Sequence, residues 1–311
     1  MVRNPSEDFF KAFQKHLESL GEEPENDEAM NEILQQFTKD YKAGLADALP
    51  LTEKTAQTSE DYLELAEGAS SKRKALKYLA KACELDDRNI DAAMQFLELD
   101  AKNEQEYKVR LKELLEKARR QMEEDGFFTD ECIGDFWGMI ETRPFMRVYS
   151  AYLSSLMESG KLRLAVEAGR DMLRLCENDN MGIRYALMNC YAALEDVDGA
   201  EALLKQFEDD ESTMFFLPMS FLYYRVGQED KAQEMLEKLM EVNRDTKKFF
   251  AAMTTKRVPK SNASPYGYRL GTMDEYLECL KERPETYIGC ADFWFWAKPI
   301  VKGMKSTKMD K

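Results

Sequence analysis

The residues best able to do chemistry lie in "CENDNMGIRYALMNCY", residues 176–191, where Asn178, Asp179, Asn180, Gly182, Arg184 and Tyr185 fall within eight positions. Acidic and amide side chains beside a glycine can hold a cation, and the same residues can end one helix and start the next. A calcium loop needs oxygen ligands at alternate positions over about twelve residues and a closing bidentate glutamate. Met181, Ile183 and Ala186 interrupt any such series here. The segment therefore reads as a turn, and loss of an Asn180 cap would cost about 0.5–2 kcal/mol. Arg184 and Tyr185 open the following helix and are candidates for a binding face. A second cluster is "FWGMIETRPFMR", residues 136–147, in which Arg143 and Arg147 could take a carboxylate through bidentate bonds. Its bland reading is packing by Phe136 and Trp137, with Thr142 as a cap and Pro144 in a first helical turn.

Nothing else rises to a catalytic pattern. His16 is the single histidine and has no Cys, Ser or metal-ligand partner at helical spacing. "SGKLR", residues 159–163, lacks the upstream glycine and the Ser or Thr after Lys161 that a phosphate loop requires. The six cysteines are far apart with no C-x-x-C, which implies buried thiols rather than a zinc site. With 59 carboxylates, close pairs arise by chance and mostly mark solvated helix faces. The expectation is no catalytic residue, no metal, no cofactor and no enzyme.

The elements that must position these residues are helical. Apolar residues are 44% and charged residues 33% of the 311, with only 15 Gly and 9 Pro to break a helix. A net charge of -15 without a basic block excludes a phosphate-backbone partner. "MVRNPSEDFF" lacks the apolar core of a signal peptide, and no run approaches the roughly eighteen apolar residues of a membrane span. A cytoplasmic protein with no membrane and no nucleic-acid partner is expected.

Self-similarity organises the rest. Ala165, Ala200 and Ala232 lie 35 and 32 residues apart, each about five residues after a turn at Gly160, Glu195 or Gly227. Apolar faces repeat before each turn, through Leu153 and Leu156, Leu187 and Cys190, then Leu222 and Val226, and again after it. The expected organisation is an N-terminal helical extension over 1–50, degenerate repeat-like helices over 59–125, three repeats over 126–245, and a C-terminal loop with capping helices over 246–311. Helices are expected at 6–20 and 27–43, ended by Gly21 and Gly44, with a linker from Pro50. Pro259, Pro265 and Gly267 mark a loop.

This spacing resembles tetratricopeptide-repeat proteins, and "ETRPFMR" and "ENDNMGIRY" resemble segments of an uncharacterised bacterial group within them. The resemblance covers roughly residues 60–250. It implies an all-α solenoid of helical hairpins and a scaffold role without a reaction. The chain departs from the family pattern at Glu195, where the turn glycine is missing, and at Glu177, Ser212 and Arg244, where a closing proline is missing. In such repeats the first helix of each pair lines a concave groove, which assigns Arg147, Tyr185, Asn189, Phe221 and Tyr224 to a peptide-binding surface. Aromatic and Met-rich linings suit an apolar or amphipathic peptide. The partner is then a protein or peptide of unknown identity. The rival reading is a regulatory or accessory subunit that senses a small peptide or assists a separate enzyme. The aromatic end, with Phe293, Trp294 and Trp296, is the alternative occupant of the same surface.

Overall fold

The computed structural model describes residues 5–20, 26–47, 51–255 and 267–305. Among them are sixteen helices and no extended strand. The expected stop at Gly21, the linker start at Pro50 and the loop residues Pro259 and Pro265 lie outside the described residues. The chain divides into two compact units, residues 1–152 and 153–311.

In the first unit, α1 (Pro5–Leu20) and α2 (Asp27–Asp47) pair through Phe9, Phe13, Phe37 and Tyr41. Asn26 caps α2, accepting from the Ala29 amide at 2.9 Å. Gly44 does not end α2; it sits inside it, a position that costs only about 1 kcal/mol relative to alanine. Next come α3 (Ser59–Glu67), α4 (Lys72–Leu85), α5 (Ile90–Asp100) and α6 (Glu104–Glu124), each packed on the one before or after it. A capping box between Thr58 and Asp61 starts α3. Leu63, Ala66, Tyr78, Leu79, Ala82 and Ala92 form the core of this hairpin series. Highly charged α6 still buries Leu111, Leu115, Ala118 and Met122 on one stripe. No helix forms over 126–142, where the sequence pattern places the start of a repeat. The α7 helix (Arg143–Glu158) begins in this unit and runs across the division. Thr142 does not cap it by side chain; its buried hydroxyl donates to the Phe136 carbonyl and, at 3.1 Å, to that of Met139.

The second unit continues with α8 (Leu162–Leu175), α9 (Ile183–Leu194), α10 (Val197–Gln206), α11 (Thr213–Arg225) and α12 (Glu229–Val242). The repeated Ala165, Ala200 and Ala232 are fully buried on α8, α10 and α12. The turns preceding these helices share one backbone state: Gly160, Glu195 and Gly227 have φ of 68°, 58° and 77°. Gly169 on α8 faces Leu187 of α9 so closely that a Cβ would lie 2.7 Å from the leucine. The chain ends with α13 (Thr246–Met253), α14 (Met273–Glu282), α15 (Pro284–Ile288) and α16 (Ala291–Gly303). Central to the unit is α11, which touches α9, α10, α12, α14 and α16. No described helix is long and apolar enough to cross a membrane.

Glu195 carries strain that the glycines at the equivalent turns avoid, because a Cβ in the left-handed region crowds the following carbonyl by about 1–2 kcal/mol. Glu195→Gly is expected to stabilise the fold by about 0.5–1 kcal/mol, the larger unfolded-state entropy of glycine cancelling part of the relief. Urea denaturation should show the higher midpoint. An unchanged or lower midpoint would mean that the exposed Arg225–Glu195 ion pair outweighs the strain.

Candidate functional site

Of the four groove residues of the second unit, Asn189, Phe221 and Tyr224 lie on a surface that the chain itself covers, while Tyr185 lines a cleft described below. Asn189 and Phe221 have no exposed area. The Tyr287 hydroxyl of α15 donates to Asn189 Oδ1 at 2.6 Å, and Asn189 Nδ2 donates to the Tyr185 carbonyl at 3.0 Å. Phe221 meets the rings of Tyr287 and Phe293 edge-on at 5.1 and 5.3 Å. Tyr224 lies against Phe293 and Trp296 at 5.5 and 4.8 Å and directs its hydroxyl to Asp292 at 3.3 Å. Trp294 Nε1 donates to the Tyr287 carbonyl, so the short α15 is pinned to α16. The C-terminal aromatic segment therefore covers Asn189, Phe221 and Tyr224. A peptide reaches Asn189 and Phe221 only if α15 and α16 leave.

Arg147 belongs to the first unit and is committed internally. Its guanidinium holds Asp91 through Nε at 3.0 Å and Nη2 at 2.6 Å, and Glu7 through Nη1 at 3.0 and 3.1 Å. Burial works against the charge, yet the bonds to the two carboxylates keep its pKa above the ordinary arginine value. The side chain ties α1 and α5 to the start of α7 and leaves little for a ligand. Arg143 likewise donates to the Trp137 carbonyl at 2.8 Å.

The turn over 176–182 is a turn, but its capping residue is Asp179 rather than Asn180. Asp179 takes a left-handed φ of 46° and its carboxylate accepts from the Ile183 amide at 2.7 Å and the Arg184 amide at 3.0 Å. Asn180 instead accepts from the Cys176 thiol at 3.4 Å. Asp179 also binds Arg184 Nη1 at 2.8 Å, while Arg184 Nε reaches Asp210 at 2.7 Å. Tyr185 donates to the same Asp210 oxygen at 2.7 Å and accepts from Arg184 Nη2 at 2.8 Å. Burial, with the bond to Asp210, holds the Tyr185 hydroxyl well above the usual phenol range. Burial also raises the Asp179 carboxyl, against the pull of two amides and Arg184.

This network forms one wall of a cleft of about 680 Å³. Its other walls come from residues 205–212, Val242, Leu270, Gly271 and Glu275. Glu275 is buried and accepts from the amides of Gly271 at 2.7 Å and Thr213 at 3.1 Å; burial raises its carboxyl above the ordinary range. Leu270 stands 74% exposed on the rim. Ser212 occupies the N-cap position of α11 without capping it, and its buried hydroxyl has no hydrogen-bond partner. Sequence reasoning named Arg184 and Tyr185 but missed Asp210, Ser212, Leu270 and Glu275. The acidic run "FEDDES" beside the repeat boundary was the available signal. No group of His, Cys, Asp or Glu that could hold a metal ion occurs among the described residues. No family model matches the chain, and no curated protein matches it.

Proposed function

We propose that the protein is a non-enzymatic binding module of tetratricopeptide type, a scaffold or adaptor for another protein. Support for the repeat reading comes from the recurring left-handed turns and from the buried alanines on α8, α10 and α12. Small residues there let paired helices approach closely. One observation carries the binding reading. Asn189 and Phe221 are covered by α15 and α16, whereas the cleft at Arg184 and Asp210 is open, and part of its border is made of charged side chains that enter no ion pair. Among the described residues Lys205, Glu208, Asp209 and Glu211 form no ion pair, and Leu270 is exposed beside them. A convergent set of polar groups with an apolar rim is what a recognition site offers.

The test is site-specific crosslinking in the native cell with benzoylphenylalanine replacing Leu270 or, as a control, the exposed Leu164 of α8. The expected result is a discrete protein adduct at Leu270 that is absent at Leu164. Equal adducts at both positions, or none at Leu270, would overturn the placement of the binding site.

A further inference from the structure

We infer that the groove between α8 and α10 is a second binding site, one that takes an aspartate or glutamate side chain of a partner protein together with an apolar neighbour. The floor of the groove is α9, which contributes Leu187 and Tyr191. Leu173 of α8, Leu203 of α10 and Phe207 complete an apolar lining around a hollow of about 610 Å³. The leucines and Tyr191 are buried, while Arg170, Arg174, Ala202 and Gln206 on the rim are exposed. An apolar floor under an exposed rim suits a segment laid along the surface rather than a small molecule enclosed on all sides. Gly199 brings α10 onto the Tyr191 ring, where a Cβ would lie 2.6 Å from it. The groove adjoins the cleft along Gln206 and Phe207, but its chemistry is separate.

One repeat further on, the chain holds a filled counterpart. Tyr191 and Tyr223 each stand nine positions before a repeated alanine, Ala200 and Ala232. The Tyr223 hydroxyl donates to Glu201 Oε1 at 2.8 Å, and Lys231 Nζ donates to the same oxygen at 2.9 Å. A carboxylate is thus held between a tyrosine and a cation. Glu201 stands one position after Ala200 and Lys231 one before Ala232; the matching residues for the α8–α10 groove are Val166 and Gly199. Both the carboxylate and its lysine are missing there. Arg170 supplies a cation from α8 instead, its Nε donating to the Tyr191 hydroxyl at 2.8 Å and its guanidinium lying 5.5 Å from the ring centroid. Among the described residues Arg170 forms no ion pair, and the Tyr191 hydroxyl accepts from Arg170 but donates to no acceptor. Burial raises this phenol, so its proton stays in place to be donated. The Tyr191 O–H and the Nη groups of Arg170 are left for a carboxylate, which such charge-assisted donors bind strongly. Arg174 is paired with Asp171, and Glu177, the one carboxylate in the lining, lies seven positions beyond Arg170 and past the end of α8.

The experiment titrates the full chain with two unlabelled peptides capped by acetyl and amide groups, Ser-Leu-Phe-Glu-Leu-Ser and the same peptide with glutamine for glutamate. Binding is read by ligand-observed nuclear magnetic resonance. The glutamate peptide is expected to bind about fivefold more tightly than the glutamine peptide, the advantage of a charge-assisted bond over a neutral one. Arg170→Gln should erase that preference and Tyr191→Phe should reduce it. Arg163→Gln, which removes an exposed cation from the same helix outside the groove, should leave it intact. Ala202→Trp sets a ring over the floor from an exposed position, so it should abolish binding of both peptides at an unchanged melting temperature. No binding of the glutamate peptide would overturn the inference, as would an undiminished preference in Arg170→Gln. A preference lost equally in Arg163→Gln would reduce the effect to general attraction and overturn it as well. Binding that survives Ala202→Trp would place the site elsewhere, with the same consequence. None of these outcomes bears on the Leu270 crosslink, so the groove and the cleft are tested separately.

Discussion

Phe221→Ala is expected to lower the free energy of unfolding by about 3–5 kcal/mol, because a fully buried phenylalanine loses its transfer energy and leaves a cavity. The ring is held between Tyr287 and Phe293, themselves fully buried, so the space cannot collapse without moving α15 and α16. Tyr287→Phe should cost about 1–3 kcal/mol, since it removes only the hydroxyl and leaves Asn189 Oδ1 buried without its donor. Urea denaturation of each variant measures both numbers. If Phe221 were instead an anchor for an external peptide, its loss would weaken binding and leave stability within about 0.5 kcal/mol of the parent. A small effect at Phe221 together with a small effect at Tyr287 would mean that the C-terminal helices are a loosely held lid rather than part of the core.

The helical class and the hairpin turns were legible because their causes are local. Apolar spacing at three and four residues, scarce glycine and proline, and a glycine at positions 160 and 227 need no knowledge of distant chain. Even Glu195 was placed at its turn by its distance from Ala200 alone. The groove residues were legible only as a face. Periodicity says that Phe221 and Tyr224 point away from Leu222 and Val226, but not what lies on them. One sign of the cover was present: "TMFFLPMSFLY" is apolar on every side, and residues 213–223 are all buried. A helix apolar all round has partners on every side rather than an open groove. The commitment of Arg147 was not legible at all. Its partners Asp91 and Glu7 stand 56 and 140 positions away in a chain with 59 carboxylates. The cleft was hidden for a similar reason, since Asp210, Leu270 and Glu275 are distant from Arg184 in the sequence and line one cleft with it only in the fold.

The choice among Asn178, Asp179 and Asn180 shows the same limit at shorter range, and it yields a second large expected effect. All three can cap a helix and tolerate the left-handed region, so composition does not rank them. In the fold only Asp179 has φ of 46°, and only its carboxylate reaches the two amides that open α9. That carboxylate is 1% exposed and also pairs with Arg184. Asp179→Ala strips a cap, leaves two buried amides and a half-paired guanidinium, and places an alanine in a backbone region it resists. The summed cost is expected at about 3–4 kcal/mol, near the range for breaking a buried ion pair. Asn180→Ala, which gives up one long contact to the Cys176 thiol, should cost less than about 0.5 kcal/mol. Asp179→Asn keeps the tolerance for a positive φ and one capping oxygen, so it should fall between them. Chemical denaturation of the three variants orders them directly. Should Asn180→Ala prove as damaging as Asp179→Ala, the capping assignment is wrong, and with it the account of how Arg184 and Tyr185 are held at the wall of the cleft.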